Sequence, residues 1–146
     1  LFRSYAGGKG NSIRYLSVAP RSNDMRIKNI KNMFCAGEKS GLFVGHTEAI
    51  ATGALAGHNA VRSFLGMKPL ILPAATAIGD LIYYANEMVK TKKGRRNRYT
   101  FAGAEYFKRM QELGLYSTNA NEIKNRIDKL NLTDIFNETL ILDPIS

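Results

Sequence analysis

Few side chains in this sequence could make or break bonds, and their spacing removes most of those. His46 and His58 stand twelve positions apart with no further ligand at metal spacing and no cysteine cluster beside them. Glu38 and Glu48 form no obvious acid and base pair, and no serine nucleophile motif occurs. Cys35 is the single cysteine, which excludes a disulfide framework or a cysteine metal site within the chain. Its place between Phe34 and Ala36 in an apolar stretch predicts a buried, inert thiol. No catalytic residue is assigned. What remains is chemistry done by the backbone, at a glycine-spaced turn from Ala36 to Gly45 that opens a helix. A helix start offers unpaired N–H groups and partial positive charge, which suit a phosphate or an anionic ring edge.

A second chemical feature is electrostatic. Lys90 to Tyr99 carries six positive charges and no negative one, with a glycine inside and Tyr99 and Phe101 at its edge. Lys92, Lys93, Arg95, Arg96 and Arg98 are the candidate contacts to a phosphate backbone, with the aromatics able to stack on bases. A solvated basic loop is the competing reading. The arm before Phe34 adds seven basic residues against one acid. The whole chain carries +9, so an anionic partner is expected, whether nucleic acid, phosphate cofactor or membrane surface. Ala6-Gly7-Gly8-Lys9-Gly10 resembles a phosphate loop only superficially. No Gly-Lys-Ser/Thr follows at the required spacing, and Ile13 occupies the third dinucleotide glycine position.

The elements that must hold these features follow from periodicity. A length of 146 residues with 45% apolar content is one domain's worth of chain. No apolar run approaches a membrane span, and the first residues show no signal-peptide layout. The fold class expected is mainly α with a short β component. A strand at Ile13 to Val18 and a turn at Pro20 to Asp24 precede a short buried strand from Met33 to Cys35. The following helix runs to Leu65 with two expected buried faces, a small one at Ala49, Gly53, Gly57 and Ala60 and an apolar one at Ile50, Ala54, Val61 and Leu65. Glycine inside a helix costs roughly 1 kcal/mol relative to alanine, so the small face implies a close neighbour. A second helix carries Ala74, Ala77, Leu81, Ala85 and Met88 on one side. A third carries Phe101, Ala104, Phe107 and Leu113 and stops at Gly114; a fourth, capped by Asn119 or Asn121, carries Ile123, Ile127 and Leu130. Leu132 to Leu140 predicts a last turn or two of helix, completing a small helical bundle.

The residues of the central block resemble a known family. Phe34-Cys35-Ala36-Gly37-Glu38, Gly41, Gly45-His46-Thr47-Glu48-Ala49 and Gly53 to Ala60 are similar to the last strand, turn and helix of the FAD domain in the glucose-inhibited division protein A superfamily. Lys68-Pro69-Leu70-Ile71-Leu72-Pro73 and Thr76 to Ile82 bring the likeness nearer to the folate-dependent tRNA uracil-5-methyltransferase branch. The likeness is dense from Asn29 to Met88. It implies that residues 1–66 end a FAD-binding domain and that 67–146 form a helical carboxy-terminal region with its basic loop at 90–98. By the same likeness Gly37, Glu38, Gly45, His46, Thr47 and Glu48 would bind FAD, Glu38 at a hydroxyl of the ribityl and pyrophosphate part and the helix start beneath the pyrimidine edge of the flavin.

The resemblance further implies NAD(P)H and methylenetetrahydrofolate as co-substrates, and partners in tRNA and in the amino-terminal FAD-binding part of the same protein. A homodimer, a cytoplasmic location and no membrane contact are the remaining expectations. The sequence departs from the family in one extra residue between Gly41 and Gly45 and in His46, where tyrosine is common. It also lacks the family's GxGxxG and its methyl-transfer cysteines, so the chain is expected to be a carboxy-terminal fragment without activity of its own. A non-catalytic RNA-binding or dimerisation module without flavin is the alternative of a different class.

Overall fold

In the computed structural model, residues 19–37, 42–137 and 139–140 are described. The loop at Ala6 to Gly10, the strand expected at Ile13 to Val18, and Glu38 lie outside them. Four helices follow one another: α1 (His46–Phe64), α2 (Ala77–Met88), α3 (Ala104–Glu112) and α4 (Ala120–Lys129), with a short 3-10 turn at Gly94–Arg96 between α2 and α3. The mainly helical class is as expected. The β component is smaller, because Met33 to Cys35 forms no strand.

Among the described residues β pairing is confined to three isolated bridges, Arg21 with Ile27, Arg26 with Phe34, and Phe43 with Tyr99. The chain turns tightly at Ser22 to Met25, where the Met25 N–H donates to Ser22 O at 3.0 Å, and residues 26–35 fold back over that turn. This return offers Met33 to Cys35 one partner and only for a residue or two. Extended backbone without a continuous neighbour leaves its ladder groups unpaired, so it remains a bridge. Cys35 is buried as expected, whereas Met33 is exposed.

The core gathers Met25, Leu42, Phe43 and Leu55 from the first half with Leu81, Ile82, Tyr99, Tyr106 and Met110 from the second. The stripe on α2 is as read from Ala77 onward, with Leu81 and Ala85 fully buried and Ala77 and Met88 packed against them, whereas Ala74 precedes the helix and is exposed. Helix α2 starts at Thr76, whose Oγ1 accepts from the Gly79 N–H at 3.1 Å. On α3 the buried residues are Tyr106 and Met110, not Ala104 and Leu113. Tyr106 wins its place because its hydroxyl donates to Ala77 O and to Asp80 Oδ2, and Asp80 also receives both Nε and Nη2 of Arg109 at 2.9 and 2.8 Å. A buried carboxylate must be paired, and this pairing rotates α3.

Helix α4 begins at Asn119, whose side chain accepts from Asn121 N and Glu122 N, as the sequence predicts. It buries no residue. Arg126 holds it by donating to the Leu115 and Gly114 carbonyls at the end of α3, both at 2.9 Å. Helix α4 is therefore a capped helix strapped to the end of α3, outside the core that α2 and α3 share. Residues 132–137 form turns rather than the expected helix, with Asp134 at a left-handed φ of 58°. Such a φ is incompatible with a right-handed helix. No helix among the described residues is long and apolar enough to cross a membrane.

Candidate functional site

The turn and the helix start converge on α1. Gly37 sits at φ +65°, a conformation that side chains resist, and its N–H donates to Thr52 Oγ1 at 3.0 Å. An added Cβ there would lie 3.3 Å from the Ala49 carbonyl, so the corner is pressed against the helix. Thr52 in turn donates to Glu48 O at 2.7 Å. The corner and the first turns of α1 thus form one hydrogen-bonded piece.

The mouth of α1 is covered on one side by Glu48, since a Cβ on Gly45 would fall 2.0 Å from its Oε2. Gly45 is its N-cap in an extended conformation and supplies no side-chain cap. The first-turn N–H groups of a helix have no partner within it. His46 and Thr47 are exposed, so this end of the helix meets solvent. Glu48 behaves differently from its neighbours. It is 2% exposed, and its carboxylate receives the backbone N–H of Phe101, fifty-three residues onward. Of the residues anticipated at the cofactor, Gly37, Gly45, His46 and Thr47 line one corner and mouth, Glu48 folds its buried carboxylate over Gly45 and onto Phe101 N, and Glu38 is not described.

The inward Glu48 was legible only as a first-turn acid, a common helix preference. Its partner arrives through a second join, in which Phe43 bridges Tyr99 and the Tyr99 N–H donates to Leu42 O at 2.9 Å. Tyr99 is buried and its hydroxyl donates to Gly94 O at 2.9 Å. Burial, above all, pushes its hydroxyl pKa well above the ordinary tyrosine value. Gly94 is required at the centre of the turn, since a Cβ there would fall 1.9 Å from the Met88 carbonyl oxygen. The basic segment is consequently a built turn. Lys92, Lys93, Arg95 and Arg96 stand exposed around it, and Arg98, half-buried, donates to Asn97 O at 3.1 Å.

Two faces of α1 diverge from expectation. The buried residues are Glu48, Thr52, Leu55, Ala56 and Asn59, a stripe of mixed polarity. Ile50 is 73% exposed, Ala54 and Leu65 are exposed, and a Cβ on Gly53 or Gly57 would meet nothing within 4 Å. The small-residue face meets the Gly37 corner at Ala49 and is exposed at Gly53, Gly57 and Ala60. Asn59 carries the buried side: its Nδ2 donates to Asp24 O and Leu70 O, and its Oδ1 accepts from Leu70 N at 2.7 Å.

The Gly37 corner brings backbone close to the start of α1, where the Glu48 carboxylate lies over Gly45 and receives the Phe101 N–H. No group of His, Cys, Asp and Glu among the described residues could hold a metal ion.

Comparison with known proteins covers this same part of the chain. Residues 6–68 match the family model described as Glucose inhibited division protein A. The methylenetetrahydrofolate–tRNA-(uracil-5-)-methyltransferase TrmFO of Streptococcus sanguinis (strain SK36) is 44% identical over 59 residues, 40% of this chain and 13% of that protein. Its counterpart in Streptococcus suis (strain 05ZYH33) is 47% identical over 57 residues, 39% of this chain and 13% of the relative. That of Caldicellulosiruptor bescii is 45% identical over 58 residues, 40% and 13% respectively. The match thus spans 13% of the length of these curated relatives. No solved structure matches the chain.

Proposed function

We propose that the chain, whose residues 6–68 match the glucose-inhibited division protein A family model and are similar to folate-dependent tRNA methyltransferases, is part of a FAD-dependent enzyme modifying uridine in tRNA or a related RNA. In this reading Gly37, Gly45, His46 and Thr47 supply flavin-proximal backbone, with Glu38 at a cofactor hydroxyl. The observation that supports it is the left-handed Gly37 corner, pressed against Ala49 of α1 and bonded through its N–H to Thr52 within the stretch that matches the family.

Bound there, FAD would relay a one-carbon unit from methylenetetrahydrofolate to a uracil carbon, with NAD(P)H the proposed electron source. The protein's own part is placement and electronics. First-turn N–H groups and the helix dipole would stabilise negative charge on an anionic ring edge, set against the Glu48 carboxylate that lies over Gly45 at the same helix end. The exposed face of Gly53, Ala54 and Gly57 supports docking of the amino-terminal FAD-binding part of the same protein, because bare helix backbone permits close approach. Lys92, Lys93, Arg95, Arg96 and Arg98 contact the RNA backbone from the built turn.

The test uses the intact protein. It is expected to retain flavin, seen as a yellow absorbance, and to bind tRNA with a steep dependence on salt. Replacing Arg95, Arg96 and Arg98 by alanine should weaken that binding and lower the salt slope by about 2 to 3. A colourless protein that still shifts tRNA would replace this reading with an RNA-binding or dimerisation module, and an unchanged salt slope would remove the turn from the RNA surface.

A further inference from the structure

A cavity of about 310 Å³ lies where the turn at 20–28 meets the carboxyl end of α2. Neither the flavin corner nor the exposed turn at 92–98 accounts for it. Its wall includes Arg21, Asn23, Lys28, Asn86 and Lys90, with Val89 among the apolar members. Three of the lining side chains are cationic and one, Glu87, is anionic, paired with Lys90 at 2.5 Å. Lys28 is exposed at the surface, while Arg21 is buried and donates to Cys35 O at 3.0 Å. The balance of charge selects an anion.

Asn86 makes the cavity more than a basic dent. It is 7% exposed, and its Nδ2 donates to Asn23 Oδ1 at 2.8 Å. Its Oδ1 is buried with no hydrogen-bond partner. Buried amide oxygens are nearly always bonded, because one left without a donor has lost its water for nothing in return. The oxygen is covered in the free form, so a ligand reaches it by turning the Asn86 amide and parting it from Asn23. An incoming N–H would then satisfy the orphan. The ligand described by these features is small, anionic at one end and a hydrogen-bond donor at the other.

Size and position narrow it further. The volume is at the lower end of the roughly 300–1,000 Å³ usual for small-ligand pockets, enough for one nucleotide and too small for a duplex. Lys90 belongs both to the cavity wall and to the basic run that ends at Arg98. RNA read in single strands splays individual bases into such pockets and bonds their edges.

We infer that this cavity takes one unpaired nucleotide of the bound RNA, its phosphate against Lys28 and Lys90 and a base N–H against the Asn86 amide oxygen. The inference rests on the RNA reading above and adds to it a site for base selection. Binding of a short labelled single-stranded RNA to the intact protein, followed by fluorescence anisotropy across a salt series, tests it. Lys28→Ala is expected to lower the salt slope by about 0.7. Asn86→Leu, which keeps the volume and removes the amide, is expected to cost roughly tenfold in affinity with the slope unchanged. Asn86→Asp, in which a carboxylate replaces the amide, should bind at least as poorly, and thermal melts check that all three variants fold. Uridine monophosphate should compete with the probe where inorganic phosphate at equal concentration does not. Equal competition by phosphate, or wild-type binding by folded Lys28→Ala and Asn86 variants, overturns the nucleotide site. If those variants bind normally while replacement of Arg95, Arg96 and Arg98 abolishes binding, this inference alone fails; if the wild-type protein binds no RNA, both fall.

Discussion

The two sides of α1 are built on opposite principles. Its inner side is specified by polar side chains that reach backbone groups far along the chain: Glu48 to Phe101, Thr52 to Gly37, and Asn59 to Asp24 and Leu70. Its outer side is specified by the near absence of side chains, with Gly53 and Gly57 facing open space and Ile50 exposed. The inner side is complete within this chain. The outer side carries two helical glycines, a cost of about 2 kcal/mol that no contact among the described residues returns.

The largest effect that could break this contrast is at Asn59, which is wholly buried. Replacing it by alanine would leave Leu70 N, Leu70 O and Asp24 O without their partner. Each unsatisfied buried group costs about 1–3 kcal/mol, so Asn59→Ala should destabilise by roughly 3 kcal/mol or more in urea unfolding. A loss under about 1 kcal/mol would mean that the inner side is not held by its polar latch. The outer side predicts a smaller effect of distinguishable sign. If nothing covers it, Gly53→Ala with Gly57→Ala should stabilise the intact protein by about 2 kcal/mol, since the new methyl groups meet nothing. If the FAD-binding part docks there, the same pair should lower stability and flavin retention. The docking reading expects the second result, measured by melting and by bound flavin per chain.

Why the sequence disclosed one side and concealed the other is a matter of what periodicity can register. Counting apolar residues every third or fourth position locates α1 and α2, places Leu81 and Ala85 in the core, and finds the stop at Gly114 and the cap at Asn119. The same count assigns Ile50, Ala54 and Leu65 to an interior they do not join. It passes over Glu48, Thr52 and Asn59, because a buried polar residue looks like a surface one until its partner is known. Those partners lie from eleven to fifty-three residues away. Tyr106 displaced the expected α3 stripe for the same reason, through its bonds to Ala77 and Asp80. The corner at Gly37 was legible as a glycine pattern, whereas the cavity beside Asn86 was not, since Asn23 and Asn86 meet across sixty-three residues.

The mildest perturbation distinguishing the two sides is alkali. The outer side of α1 carries no tyrosine, but the joint holding the inner side includes Tyr99, next to Tyr84 and Tyr106 in the core. Burial is the main cause that raises all three hydroxyl pKa values, and the Tyr84 hydroxyl, which also donates to Glu105, is pushed from 10.0 to about 12. A group that binds its proton more tightly folded than unfolded adds stability in full below the unfolded value and surrenders it as pH rises towards the folded one. For Tyr84 that interval runs from pH 10.0 to about 12. Stability should therefore be flat through pH 9 and fall across this window, read by urea midpoints together with tyrosinate absorbance. Tyr99→Phe removes a proton-binding group from the joint, so its alkaline decline should be shallower than wild type, although it starts lower for want of the bond to Gly94 O. A decline as steep in Tyr99→Phe as in the parent would place the alkaline weakness elsewhere and leave the inner joint indifferent to charge.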